Sequence, residues 1–129
     1  MARYQVSIAY DGTHFSGFQR QVEGRTVQGV FEDALRRIGW EGQALLGAGR
    51  TDAGVHALGQ VVAFDLDWGH PQDKLVAALN ANLPLDVAVH EVQLARPGFH
   101  PRYDALARTY CYRVFPHSVR DPLRERYAW

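Results

Sequence analysis

The sequence is poor in cysteine and in long apolar runs, and each shortage excludes a class of protein. Cys111 is the only cysteine, so no internal disulfide can form, and a reducing cytoplasm is the expected compartment. The uncharged stretch Leu75–Leu85 is too short and too polar to cross a bilayer. The first residues, MARYQVSIAY, lack the apolar core of a secretion signal. We therefore expect a cytoplasmic protein that makes no membrane contact.

Arginine replaces lysine almost throughout, because 13 of the 14 basic residues are Arg and only Lys74 is Lys. The arginine fork suits phosphates and bases, but genomic GC bias or a thermophilic source explains the preference at least as well. The 14 acidic residues bring the net charge to zero. The segment from Arg96 to Arg126, however, contains seven arginines and only three acidic residues. This local excess is a weak indication of an anionic partner such as nucleic acid.

The six histidines do not indicate a metal site. No two of them have the spacing of metal ligands on one helix, and the single cysteine adds no ligand pair. No Ser-His-Asp arrangement stands out either.

The hydrophobic pattern predicts alternating strands and helices. Apolar residues alternate over Tyr4–Tyr10, which is typical of a strand with one buried face. Thr26 is a plausible N-cap for a helix with apolar positions from Val27 to Ile38, and Gly39 can end it. A second helix follows Pro71 and ends at Pro84. Further strands are predicted at residues 43–48, from Gln60 through "QVVAFDLD", at 86–94 with a bulge between Val89 and Val92, and at 107–115.

The first four strands and two helices follow the order β-α-β-β-α-β, which is the ferredoxin-like pattern. We therefore predict an α+β fold in one domain over residues 1–129, with an antiparallel sheet, both helices on one face and an additional C-terminal strand. The other face is left for a partner, a ligand or a second domain. Many RNA-binding modules use this plan, but the fold alone does not establish function.

The stretch "GAGRTDAGVHALGQ" holds Arg50 and Asp52 in a glycine-rich loop between two predicted strands. An arginine beside an aspartate keeps the carboxylate ionised, so that it can act as a nucleophile, a base or a ligand-binding group. A surface ion pair or a turn explains the same spacing more simply. Dinucleotide binding is disfavoured, because Asp52 replaces the third glycine and a strand follows instead of a helix.

On the last predicted strand, Arg108, Tyr110 and Tyr112 share one face. A tyrosine beside an arginine can stack a base and hold its phosphate. Ordinary packing of strand aromatics in a core is the simpler explanation of this pattern.

Four stretches of the chain resemble, in the same order, the motifs of the TruA-type tRNA pseudouridine synthases. The N-terminal motif is similar to "YDGTHFSGFQRQ", which "TVQG" follows, and the family signature is similar to "GAGRTDAGVHALGQVVAF". The middle motif resembles "LNANLPLDVAV", and the stretch with the family's active-site tyrosine resembles "FHPRYDALARTYCYRV". The resemblance covers essentially the whole chain.

The resemblance implies isomerisation of uridine to pseudouridine at positions 38–40 of the tRNA anticodon stem-loop, without a metal or an organic cofactor. It makes Asp52 the catalytic aspartate and Arg50 the arginine that pairs with it while the target nucleotide flips. Tyr110 resembles the tyrosine that stacks on the uracil and is proposed to transfer a proton. The residues expected to contact substrate RNA are Gly49, Thr51, His56, Arg20, Arg102 and Arg108.

Family members are about twice as long as this chain, work as homodimers and bind tRNA across both subunits. The chain resembles their first half, so we expect an N-terminal half that carries the catalytic aspartate and has little or no activity alone. The alternative is a non-catalytic RNA-binding module of the same ferredoxin-like class, in which Arg50 and Asp52 only shape a loop.

Overall fold

The computed structural model describes residues 1–103 of the chain. The elements are β1 (Ala2–Tyr10), α1 (Val27–Arg37), β2 (Leu46–Gly47), β3 (Ala57–Leu66), α2 (Gln72–Asn82) and β4 (Val87–Leu94). A short 3-10 turn, Gly12–His14, follows β1. The fifth strand, predicted at 107–115, lies outside the described residues.

The four strands form one sheet in the order β2-β3-β1-β4, and every neighbouring pair is antiparallel. This spatial order, with helices after β1 and β3, is that of the ferredoxin-like fold. The predicted α+β class is therefore confirmed, and within residues 1–103 the outer strands of the sheet are β2 and β4.

Both helices pack on one face of the sheet. Tyr4, Val6, Ile8 and Tyr10 are buried and alternate with more exposed residues, as the sequence predicted for β1. They share one hydrophobic cluster with the buried residues of α1 and α2, which include Phe31, Leu35, Leu75 and Leu79. Burying these side chains supplies most of the driving force for folding.

The predicted ends of α1 are also confirmed. The Thr26 hydroxyl accepts a hydrogen bond from the Gly29 N–H at 3.1 Å, which satisfies one of the donors left free at a helix start. Gly39 follows the last turn with a φ of +105°, a conformation that glycine adopts without steric cost.

β2 is much shorter than the predicted strand 43–48. The backbone N–H of Leu45 donates to the Glu32 carboxylate of α1 at 2.8 Å. The backbone oxygen of Gln43 lies 3.5 Å from a guanidinium nitrogen of Arg20. Since side chains bind the backbone here, only Leu46–Gly47 pairs with β3. β3 in turn begins three residues earlier than predicted, at Ala57, which pairs with Tyr10 beyond an irregularity in the ladder.

β4 contains the predicted bulge. Ser7 pairs with Glu91 and Ile8 pairs with Val89, which leaves His90 as the extra residue. The Asn80 side chain of α2 donates to the Val89 oxygen at 3.1 Å and accepts from its N–H at 2.8 Å. The Asn80 amide thus satisfies both backbone groups of Val89 in β4.

The chain after β4 contacts the sheet face that the helices leave open. Arg3 lies on that face, because its neighbours in β1 point into the core. Its backbone oxygen accepts from the Ala95 N–H at 2.9 Å, and its guanidinium donates to the Phe99 oxygen at 2.8 Å. Pro101, a little further on, is fully buried. Part of the face predicted to receive a partner is therefore covered by this chain.

Two bidentate ion pairs make the fold sensitive to acid. Arg3 lowers the pKa of Asp65, and Arg25 lowers the pKa of Asp86, in each case chiefly through hydrogen bonds to the carboxylate. A lowered folded pKa means that the stabilisation is present above the unfolded pKa of about 3.9 and is lost as the pH falls through the folded value. All four side chains are partly exposed, so each pair contributes only about 0.2–1 kcal/mol.

We therefore expect Asp86→Asn to lower the melting temperature of the chain slightly at pH 7, with the difference from the unmodified chain shrinking as the pH falls below the unfolded pKa of about 3.9. Thermal unfolding of both chains between pH 7 and pH 2.5 checks this. A difference that grew as the pH fell would contradict the assignment.

Candidate active site

Asp52 lies in the segment that joins β2 to β3, residues 48–56, named here the Asp52 loop. The Asp52 and Arg50 side chains are both exposed. Within residues 1–103 no ion pair joins them, so the pairing that the resemblance implies is not formed in this structure. The Asp52 carboxylate is therefore open to an approaching molecule.

The Asp52 loop is bound by backbone hydrogen bonds to the segment after β1, residues 11–25, named here the N-terminal loop. The Phe18 N–H donates to the Thr51 oxygen at 3.0 Å, immediately before Asp52. The Gly54 N–H donates to the Phe15 oxygen at 3.3 Å, two residues after Asp52. The backbone on both sides of the aspartate is thus attached to a second motif.

Three side chains add further attachments. The Tyr10 and Thr51 hydroxyls are 2.7 Å apart, and the Gln60 amide donates to the Gly49 oxygen at 2.8 Å. The His56 Nδ1 accepts from the Gly12 N–H at 2.8 Å. Burial raises the pKa of Tyr10, while its hydrogen bonds to Thr51 and Gln60 act in the opposite direction. Tyr10 therefore stays a neutral hydrogen-bonding group under the loop.

Two glycines allow the loops to approach this closely. A Cβ on Gly12 would lie 1.9 Å from the Val55 oxygen. Gly17 has a φ of +109°, and a Cβ there would lie 3.0 Å from the Thr51 oxygen. The glycines of "YDGTHFSGFQRQ" are therefore required by contact with the Asp52 loop.

The middle motif meets the same N-terminal loop. The Asp11 N–H donates to the Asp86 oxygen at 2.9 Å. Both guanidinium nitrogens of Arg25 bind the Asp86 carboxylate, at 2.7 and 3.0 Å, and the guanidinium carbon lies 4.2 Å from the centre of the Phe15 ring. Three of the four sequence motifs are thus joined around the N-terminal loop.

A cleft of about 350 Å³ lies beside the Asp52 loop. It is lined by the residues from Gly47 to Arg50 and by His100, Arg102 and Tyr103. Phe18 is a further lining residue. Guanidinium groups beside aromatic rings match the phosphates and bases of a nucleic acid. Asp52 itself is not among the lining residues.

The predicted site residues thus divide into three sets. Gly49, Arg50 and Arg102 line the cleft, with Asp52 two residues from Arg50 on the same loop. The Thr51 and His56 side chains bind other parts of the protein. Arg108 and Tyr110 lie outside the described residues.

Arg20 also forms internal contacts. Its guanidinium pairs with the fully buried Glu32 at 2.5 Å, and its backbone N–H donates to Gln28 at 2.8 Å. About half of the Arg20 side chain remains exposed. In this structure Arg20 therefore connects α1 to the N-terminal loop.

The sequence did not single out Tyr10, Gly12, Gln60 or Glu32 as part of the site. Tyr10 and Gly12 were visible only as members of the N-terminal motif. Gln60 was visible only as a member of the family signature, and Glu32 gave no sequence signal. Among residues 1–103, no group of three or more His, Cys, Asp or Glu side chains is placed to hold a metal ion. No helix of this part of the chain is long and apolar enough to cross a membrane.

Comparison with known proteins decides the family. The family model described as tRNA pseudouridine synthase matches residues 6–104, which include the second half of β1, the Asp52 loop and β4. This chain belongs to that family. The match ends before Arg108 and Tyr110.

Curated family members extend the similarity to nearly the whole chain. The tRNA pseudouridine synthase A of Limosilactobacillus fermentum is 49% identical over 131 residues, which cover 99% of this chain and 51% of the relative. That of Geobacillus kaustophilus is 49% identical, with 98% and 50% covered, and that of Pseudothermotoga lettingae is 44% identical, with 100% and 53% covered. The chain spans about half the length of the curated relatives it matches.

Proposed function

We propose that the chain forms the N-terminal catalytic half of a tRNA pseudouridine synthase, with Asp52 as its catalytic aspartate. The observation that carries the proposal is the position of Asp52. Its carboxylate is exposed on a loop whose backbone is attached on both sides, beside a cleft with guanidinium and aromatic groups. A carboxylate in such a place has a fixed position and remains accessible to a substrate, and it does not contribute to the stability of the fold.

The proposed reaction needs a group that acts where the base joins the sugar. The N1–C1′ bond of uridine breaks, the uracil turns, and C5 bonds to C1′, so that C5 loses its proton and N1 gains one. Asp52 acts as the nucleophile or base at this junction. The uridine must first leave the RNA stack, at a cost of a few kcal/mol. Arg50, two residues from Asp52 on the same loop, assists that step.

RNA binding is assigned to the cleft and to the arginines around it. Arg102 and Gly49 line the cleft, and Arg108 adds a basic group in the part of the chain outside the described residues. Tyr110 is proposed to stack on the uracil, as an aromatic face holds a base and still lets it turn. Such phosphate and stacking contacts fix the register of the RNA, while Asp52 performs the chemistry.

The wider context is proposed from the family. The substrate is uridine 38–40 of the anticodon stem-loop, the protein acts in the cytoplasm as a homodimer, and a second half of similar length completes the pocket. "Full-length protein" is used below for a protein of the relatives' length that contains this chain. No metal or organic cofactor takes part.

A non-catalytic RNA-binding module is the alternative, and one observation favours it: the cleft is built without Asp52. Release of tritium from tRNA labelled at C5 of uridine distinguishes the two, because only isomerisation displaces that atom. We expect the full-length protein to release tritium from positions 38–40 and the 129-residue chain alone to release far less. Binding of tRNA by the full-length protein without tritium release would instead establish the binding module.

A further inference from the structure

The position of the Asp52 carboxylate is set by the loop backbone. The Asp52 side chain makes no hydrogen bond or ion pair in the described part of the chain, but its backbone oxygen accepts from the Val55 N–H at 3.1 Å and closes a turn. The position of the carboxylate therefore depends on how firmly this turn is held in place. A displacement of about 1 Å at a reacting group can lower a rate about 100-fold.

The end of this turn is held by one imidazole. His56 is the last residue of the Asp52 loop before β3, and its Nδ1 accepts from the Gly12 N–H at 2.8 Å. The side chain is only 12% exposed. Gly12 in turn touches the Val55 oxygen so closely that no Cβ fits between them. The two loops therefore meet through a side chain and a backbone contact on adjacent residues.

We propose that His56 is a positioning residue, whose hydrogen bond with the Gly12 N–H fixes the loop that carries Asp52. This inference rests on the proposed function. The sequence had placed His56 among the residues that contact RNA. With Nδ1 bound to a backbone donor inside the protein, His56 acts on the reaction through the position of Asp52.

The chemistry of the contact requires a particular form of the ring. An Nδ1 that accepts from an N–H carries no proton, so the ring proton of neutral His56 lies on Nε2. Asp11 Oδ1 is 3.2 Å from the same Nδ1, and that oxygen also accepts from the Thr13 N–H at 3.0 Å. The essential property of His56 is thus an acceptor at the Nδ1 position, which the side-chain oxygen of asparagine can reproduce.

The test compares His56→Ala, which removes the acceptor, with His56→Asn, which keeps one. His70→Ala is the matched control, because His70 is exposed and lies beyond the far end of β3, a strand of ten residues. Tritium release by the full-length variants gives kcat and KM, and amide hydrogen exchange reports on the Gly12 N–H and on residues 51–55.

We expect His56→Ala to lower kcat about 10- to 100-fold, with KM changed less than about threefold, and to speed exchange of the Gly12 amide. His56→Asn should recover most of both losses, and His70→Ala should match the unmodified protein. Should His56→Ala fail to fold, His56→Gln takes its place, because its longer side chain moves the acceptor away from Gly12.

Two results would overturn the inference. One is an unchanged kcat in His56→Ala although the Gly12 amide exchanges faster. The other is an equal loss in His56→Ala and His56→Asn that appears in KM, which would indicate direct contact with RNA. If the unmodified protein releases no tritium, the proposed function fails. In that case exchange alone decides whether His56 holds the loop, and unchanged exchange over residues 51–55 refutes it.

Discussion

Asp52→Asn in the full-length protein is expected to lower kcat for tritium release at least about 1000-fold, while tRNA affinity stays within about threefold. The asparagine side chain has the same shape but cannot act as a nucleophile or a base. Since the Asp52 side chain is exposed and makes no hydrogen bond or ion pair within residues 1–103, the change removes no polar interaction from the fold. The melting temperature should therefore remain the same.

Asp67→Asn is the matched control for this experiment. Asp67 is exposed and follows the end of β3, whereas the Asp52 loop precedes its start, so the strand separates the two carboxylates. Asp67→Asn should leave kcat unchanged. Retention of turnover in Asp52→Asn would refute the catalytic assignment and favour the RNA-binding module. A loss of tRNA affinity equal to the loss of kcat would indicate that Asp52 serves binding instead of chemistry.

Most of the fold could be predicted from the sequence because its helices and strands depend on patterns among neighbouring residues. The alternation in β1, the Thr26 cap and the glycine after α1 each depend on contacts within a few positions. β2 was predicted too long because its length depends on a distant residue. The Glu32 carboxylate of α1 accepts a hydrogen bond from the Leu45 N–H, and no sequence pattern near residue 45 predicts that bond.

The site was predictable as a set of motifs but not as an arrangement. The loop with Arg50 and Asp52 stood out by its charged pair among glycines, and the N-terminal motif stood out by resemblance. Their attachment through Tyr10 and Gly12 could not be read from the sequence, because 41 and 44 positions separate the bonded residues. RNA contact by His56 stays a prediction, and the structure adds that the His56 Nδ1 binds the backbone N–H of Gly12.

Glu32→Ala is expected to destabilise the 129-residue chain by about 3 kcal/mol, the largest stability change predicted from this structure. The Glu32 carboxylate is fully buried and accepts from Arg20, from the Gln28 amide at 3.1 Å and from the Leu45 N–H at 2.8 Å. Alanine leaves these donors without an acceptor and opens a cavity. Arg20 can turn toward water, since about half of its side chain is exposed, so the buried amide donors account for much of the cost.

Asp33→Ala provides the comparison for Glu32→Ala, because it removes an exposed carboxylate from the next position of α1. Asp33 is 65% exposed and pairs only loosely with Arg36, at 3.5 Å, so its loss should cost less than about 1 kcal/mol. Urea unfolding of the three chains measures both changes. Glu32 also joins α1, the N-terminal loop and the residue before β2, all of which border the cleft. Equal stability of the two variants would show that this buried carboxylate does not hold the cleft walls together.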